Sequence, residues 1–249
     1  MTAAAALVAQ PVAHRGLHDR AAGVIENTLG AAKAAIAKGF AIECDVQWTA
    51  DGESVVFHDF ALDRLTEAKG KVAEKTAAEL AGVVMKDTSD RIPKLQDLLD
   101  LIAGKVPLVC EIKSAFTGDP RLTRRTAEVL LGYSGPVGIK SFDPAVVIEA
   151  KKLVGGRIPC GVIAMQEYNY ADYDGLDATE KRALANLLHF EQSRPDFISW
   201  KVNDLPSAAP FLCRKALGLP VMTWTVRTPE ERALAAAHAD QMVFEGFVP

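Results

Sequence analysis

The chain has 249 residues, of which 49% are hydrophobic and 24% charged, enough to build a sizeable core and unlike the composition of a disordered segment. Its formal net charge of −4 argues against nucleic acid as a partner, which would need a broad basic face, while leaving room for a local phosphate site. No apolar run approaches the ~20 residues of a membrane-spanning helix, so no integral membrane segment is expected.

The opening "MTAAAALVAQP" is Ala-rich but lacks a basic leader and runs into the first strand pattern, so it does not read as a signal peptide, and the cytoplasm is the expected location. From there, short β-branched apolar segments recur: "PVAH" (11–14), "AIECDV" (41–46), "PLVCEIK" (107–113), "PVGIKSF" (136–142), "PCGVIAM" (159–165), "DFISWKV" (196–202), "PVMTWTV" (220–226) and "QMVFEG" (241–246). Helical patterns lie between them. "ENTLGAAKAAIAKG" is ended by Gly39, and "KLQDLLDLIAG", "RLTRRTAEVLLG" and "LPSAAPFLCRKALG" follow. "FDPAVVIEAKKL" has Asp143 before Pro144, and "TPEERALAAAHA" carries a capping box, with Thr228 as N-cap, Pro229 at N1 and Glu231 at N3.

One further strand-like run, "SVVFHD" (54–59), follows the second strand after only "ADGE", too few residues for a parallel crossover, so it must return antiparallel as a hairpin arm. Eight strands alternating with helices, and no Ser/Pro/Gly-rich linker, predict one α/β domain over residues 1–249. Its fold is a single (β/α)8 TIM barrel with a β-hairpin extension after strand two. A doubly wound open sheet is the alternative, but no glycine fingerprint follows the first strand. The cysteines Cys44, Cys110, Cys160 and Cys213 are widely spaced without a CxxC pair and read as reduced core residues.

Barrel enzymes place their chemistry at the C-terminal ends of the strands, and there the polar residues of this chain gather. The first strand ends in His14 and Arg15; the second carries Glu43 and Asp45; the hairpin arm returns His58 and Asp59; the third carries Glu111 and Lys113. Alternation puts Glu43 and Asp45 on one face, where each repels the ionised form of the other. Glu111 adds a third oxygen donor. The three are expected to converge on a hard divalent cation, Mg2+ or Ca2+ rather than Zn2+, whose charge makes the cluster tolerable. The competing reading is a buried salt bridge with Arg15 or Lys113. A cation beside Arg15, Lys113 and two histidines supplies the parts for displacement at phosphorus, one imidazole taking a proton from the nucleophile and the other protonating the leaving alkoxide.

In order and spacing, "HRG" (14–16), "ENT" (26–28), "ECD" (43–45), "DGESVVFHD" (51–59), "LDRLT" (62–66), "IPKLQDLL" (92–99), "EIKS" (111–114), "SFDP" (141–144) and "WTV" (224–226) resemble the glycerophosphodiester phosphodiesterase family over nearly the whole chain. The resemblance implies a (β/α)8 barrel that hydrolyses small glycerophosphodiesters to an alcohol and glycerol 3-phosphate with a divalent cation. It implies His14 and His58 as the acid–base pair, Glu43, Asp45 and Glu111 as metal ligands, and Arg15 and Lys113 as phosphate contacts. It further implies that the substrate's own neighbouring hydroxyl can act as nucleophile, giving a cyclic phosphate that water then opens. Glu26 and Asn27 are placed near the site, as orienting residues or an extra metal contact, the alternative being helix capping, to which Asn27 is suited. Trp224 is an aromatic wall for the glycerol or head group, or core packing.

Three departures from the family pattern bear on the substrate. Arg227 stands where the family usually has Asn after "WTV"; "FEGF" replaces the usual "TD", leaving Glu245 as a loose equivalent; and a long segment between strands five and six, 166–196, carries Tyr168, Tyr170 and Tyr173 as a substrate lid or a surface loop. The region from His58 to the helix at 94 is expected to run on directly, with little room for an inserted small domain. Cleavage of lysophospholipids and a barrel that binds phosphodiesters without turnover are the alternative functions, and another metal-dependent barrel chemistry, such as a lyase acting on a carboxylate, is a third.

Overall fold

The computed structural model describes residues 2–249. The chain begins with α1 (Ala3–Leu7), β1 (Val12–Ala13), α2 (Leu29–Lys38), β2 (Ala41–Trp48) and β3 (Ser54–Val56), followed by α3 (Ala77–Gly82) and α4 (Leu95–Ile102). Then come β4 (Leu108–Ile112), α5 (Arg121–Leu131), β5 (Val137–Ser141), α6 (Pro144–Val154), β6 (Cys160–Ala164), α7 (Ala178–Ala185) and α8 (Phe190–Ser193). The last part is β7 (Phe197–Lys201), α9 (Ala208–Lys215), β8 (Val221–Val226), α10 (Pro229–His238) and β9 (Gln241–Phe244).

Every strand except β3 pairs in parallel, in the order β1-β9-β8-β7-β6-β5-β4-β2, and β1 pairs back onto β2, so eight strands close a (β/α)8 barrel. The predicted hairpin arm is β3, antiparallel to the C-terminal half of β2 with Val46 opposite Val56. The geometry has a simple cause. Because β1 covers β2 only at Ala41 and Ile42, the rest of that edge is free to take β3, which steers the following residues, His58 and Asp59, to the barrel mouth.

Strand parity sorts the two cores. Ile42, Cys44 and Val46 of β2 face outward and pack with Ala32, Ala35, Leu95 and Leu99 of the helical layer. Val12, Ala41, Val109, Phe197, Met222 and Val243 meet in a separate cluster that Leu7 and Ala4 of α1 join. The Ala-rich opening is therefore a short helix packed on that cluster, with β1 following it. Two glycines make this packing possible: a Cβ on Gly138 would lie 2.3 Å from Leu7 Cδ1, and one on Gly161 would lie 2.3 Å from the Phe197 ring. The predicted caps form at Thr228, whose hydroxyl accepts from Glu231 N, and at Asp143, whose carboxylate accepts from Ala145 N.

Between His58 and α4 the chain forms short turns and α3. Phe57, Leu62, Leu65, Val72, Leu80 and Ile92 bury one another in a core of their own, and α3 packs on it. The apolar residues fall in short turns rather than in one periodic stretch. In the 166–196 segment, Tyr168 and Tyr173 are buried with Met165 and Leu184, and Tyr170 stays exposed.

Candidate active site

Glu43 and Asp45 point into the barrel from β2, and Asp45 lies opposite Glu111 of β4, so parity and register together bring three carboxylates to one place. All three are buried, and one oxygen from each lies within 4.8 Å of the others. Like charges this close and this deep need compensation. Three side-chain cations supply part of it. Lys140 of β5, which the sequence reading passed over, sets its Nζ 3.0 Å from Glu43 Oε1 and 3.5 Å from Glu111 Oε2. Lys113 Nζ lies 3.0 Å from Glu111 Oε1 and 3.7 Å from Asp45 Oδ1. Arg15 Nε is 3.5 Å from Asp45 Oδ2, and its backbone N–H donates to Glu43 Oε2 at 3.0 Å. Both predictions of the sequence thus meet: the acids converge, and they are also salt-bridged.

The titration behaviour follows. Burial alone would raise the Asp45 carboxyl, but the charges of Lys113 and Arg15 and the hydrogen bond from Asn27 outweigh it and hold that group well below the usual carboxylate range. Glu111 is lowered in the same way, against its burial, chiefly by Lys113. The two lysines are held charged: burial opposes their ammonium groups, and Glu111 for Lys113 and Glu43 for Lys140 push them above the ordinary value.

The cluster also fits a hard divalent cation. Its donors are all oxygens, and Glu43 Oε1, buried and beside an ammonium, accepts no hydrogen bond of good geometry.

The two histidines reach the same cleft, of about 340 Å³, which Arg15 and Lys113 also line. His14 follows β1 and donates from Nδ1 to Glu245 Oε2 at 2.5 Å. Glu245 in turn accepts from Arg227 Nε at 2.7 Å, so the two departures from the family pattern at these positions are partners of one another. Burial alone would raise Glu245; the hydrogen bond from His14, with the His18 ring 3.5 Å away and the Arg227 charge, outweighs it and holds the carboxyl low. His58 is fixed differently. The Lys113 ammonium has only hydrogens to offer, so His58 Nε2, 3.2 Å away, accepts, and the ring proton sits on Nδ1, which donates to Asp59 Oδ1 at 2.7 Å. That is the neutral tautomer, with its acceptor nitrogen beside the carboxylate cluster.

A belt of ion pairs braces this arrangement. Arg64, unnoticed in the sequence, donates to Asp59 Oδ2 at 2.6 Å and to both oxygens of Glu26 at 2.8 Å. Glu26 also accepts from Arg15 Nη1 at 2.5 Å. Burial would raise the Glu26 carboxyl, but Arg64 and then Arg15 bring it down to about 2. Asn27 does not cap α2; Thr28 does, accepting from Ala31 N. With φ +57, Asn27 turns its amide onto Asp45, donating from Nδ2 to Oδ2 at 2.9 Å and accepting from Asp45 N at 3.2 Å. Glu26 thus bonds to Arg15 and Arg64, and Asn27 to Asp45. Trp224 packs and lines the cleft: its indole N–H donates to Ser199 O at 3.1 Å and its ring meets Phe142 edge-on at 5.3 Å. Tyr173 lines it too, and Tyr170 accepts from Lys201 Nζ at 2.8 Å, so the 166–196 segment does flank the mouth.

A (β/α)8 barrel with acids and paired imidazoles at its C-terminal mouth has the makings of a phosphoric diester hydrolase. Residues 14–244 match the model of the glycerophosphoryl diester phosphodiesterase family, to which this chain belongs. The chain is 35% identical over 167 residues to a glycerophosphodiester phosphodiesterase of Caldanaerobacter subterraneus, covering 61% of this chain and 68% of that one. It is 39% identical to glycerophosphodiester phosphodiesterase 1 of Bos taurus, covering 91% and 74% of the two chains. Among solved structures it resembles an Oleispira antarctica phosphodiesterase in complex with the product sn-glycerol-3-phosphate, with TM-score 0.79, 21% identity, and 98% and 95% of the two chains covered. It also resembles a Thermotoga maritima glycerophosphodiester phosphodiesterase, with TM-score 0.71, 23% identity, and 94% and 92% covered. At these identities the structural likenesses speak for the fold.

Proposed function

We propose that this chain is a single-domain enzyme that hydrolyses small glycerophosphodiesters to an alcohol and glycerol 3-phosphate, with Glu43, Asp45 and Glu111 holding a divalent cation, Mg2+ or Ca2+. The observation that carries the reading is a cleft lined by Asp45, Glu111 and two imidazoles, each ring anchored at Nδ1 by its own carboxylate, with Glu43 set within 4.8 Å of the two acids. When bound, the cation supplies positive charge to the phosphoryl oxygens. Arg15 and Lys113 add fixed charge on the cleft wall for the same oxygens.

His58, in its neutral tautomer, has an Nε2 lone pair ready to take the nucleophile's proton once Lys113 turns to phosphate. His14 turns Nε2 away from Glu245, and when that nitrogen is protonated it can deliver the proton to the departing alkoxide while Glu245 compensates the ring's charge. The acceptor serves a water or the substrate's adjacent hydroxyl alike. Phe142, Tyr173 and Trp224 offer apolar surface to the substrate's carbon skeleton, and this favours lysophospholipid as a second substrate class.

Four buried, unpaired cysteines agree with a reducing, cytoplasmic setting. Among the described residues no helix is long and apolar enough to cross a membrane. The test is product release from a panel of glycerophosphodiesters and lysophospholipids, in Mg2+, Ca2+ or chelator. Glycerol 3-phosphate that appears with the cations and not with chelator is the expected result; no hydrolysis of any phosphodiester would favour a binding role.

A further inference from the structure

We propose that Lys140 is a built-in counter-cation of the carboxylate cluster: it holds the ligand oxygens together when no ion is bound, and so weakens and sets their affinity for the divalent cation. The inference rests on the cation reading above and concerns this chain's own residue rather than the reaction.

Lys140 stands in the middle of β5, directly opposite Glu111 in register, with its side chain 3% exposed. A buried ammonium needs a specific partner, and this one has two of the three candidate ligands, Glu43 and Glu111. Lys113 and Arg15 pair with Asp45 and Glu111, so Lys140 is the only cation within salt-bridge distance of Glu43 among the described residues. Three carboxylates thus face three fixed cations, of which Arg15 is shared with Glu26, before any ion arrives.

The Glu43 contact is close but poorly aligned. Oε1 lies 3.0 Å from the ammonium yet accepts no hydrogen bond of good geometry, which leaves a lone pair open to a second cation. A divalent ion entering there gains three carboxylates but must approach a positive charge that cannot diffuse away. Lys140 thus spares the resting site the repulsion of three bare acids and charges that saving to the incoming ion.

The experiment compares the wild type with K140M, which removes the charge, and K140Q, which removes it while keeping an amide able to donate to Glu43. After chelation and desalting, Mn2+ binding is followed by the loss of the free-ion electron paramagnetic resonance signal, with Mg2+ by calorimetry. Both variants are expected to bind Mn2+ at least about tenfold more tightly, a threshold set far below the bare Coulomb figure for a unit charge a few Å from a divalent ion at an effective dielectric near 20, since relaxation of the site offsets much of it. In chelator their Tm should fall below that of the wild type, and saturating Mn2+ should narrow the gap. Should K140M fail to fold without the ion, K140Q decides.

Unchanged or weaker Mn2+ binding in the variants that fold overturns the proposal, as does failure of both variants to fold with or without Mn2+, because Lys140 is then a structural prop alone. The cation reading fails differently: neither the wild type nor either variant binds Mn2+, and E43Q changes nothing.

Discussion

The bond between His14 and Glu245 is the most sensitive point of the proposed proton path. Replacing Glu245 with Gln keeps the shape but removes the charge, and it lets the amide donate to Nδ1, which would move the ring proton to Nε2. The observed contact, Nδ1 to Oε2 at 2.5 Å with Glu245 only 19% exposed, is a charge-assisted hydrogen bond, a class worth about 1.5–3 kcal/mol. If that stabilisation is expressed when His14 carries the proton for the leaving group, its loss lowers kcat about 10- to 150-fold at 1.36 kcal/mol per decade. Arg227, left without its carboxylate, would add unbalanced charge at the rim and lower KM rather than raise it. The assay is glycerol 3-phosphate release under saturating substrate, with Tm measured alongside to exclude a folding defect. A kcat within threefold of wild type, or a change confined to KM, would refute the role given to Glu245.

Truncating His14 or His58 to Ala should cost about 10²- to 10⁴-fold in kcat while glycerol 3-phosphate still binds, because proton transfer matters in the transition state and little in the ground state; equal losses in turnover and product affinity would contradict this. Glu26 has an ordinary pKa of 4.5 that is lowered to about 2 in the folded chain, so its stabilisation is complete above pH 4.5 and is lost as pH falls toward 2. That difference corresponds to roughly 3 kcal/mol at neutral pH, so E26Q should lower Tm near pH 7 and flatten the acid limb of the stability curve. T228A removes an N-cap acceptor in α10 and should cost about 1 kcal/mol, a drop of about 2–4 °C in Tm, with activity unchanged.

The barrel was legible because its strands are covered on both faces and read as apolar runs, while the helices between them announce their ends with Thr228, Asp143 and Gly39. The acids and histidines were legible because charge inside such a run is costly and parity says where it points. Lys140 carries the same signal in "VGIKS", a charge in the middle of an apolar strand on the same face as Gly138 and Phe142, but a lone lysine names no partner until strand register sets it opposite Glu111. Arg64 offered none: its bond to Glu26 spans 38 positions in the chain and depends on how the turns after β3 fold. Asn27 looked like a cap because its residue type prefers that role. Its left-handed backbone, a conformation Asn tolerates better than most residues, goes with the cap falling to Thr28 and the amide bonding to Asp45, a partner 18 positions away that local pattern does not reveal.

A crystal grown with Mn2+ and glycerol 3-phosphate, measured for anomalous scattering, bears most directly on the account. One manganese peak bonded to carboxylate oxygens of Glu43, Asp45 and Glu111 at about 2.0–2.6 Å, with the phosphate between His14 and His58, is the predicted result. A peak elsewhere, or a phosphate that reaches neither imidazole, would contradict it.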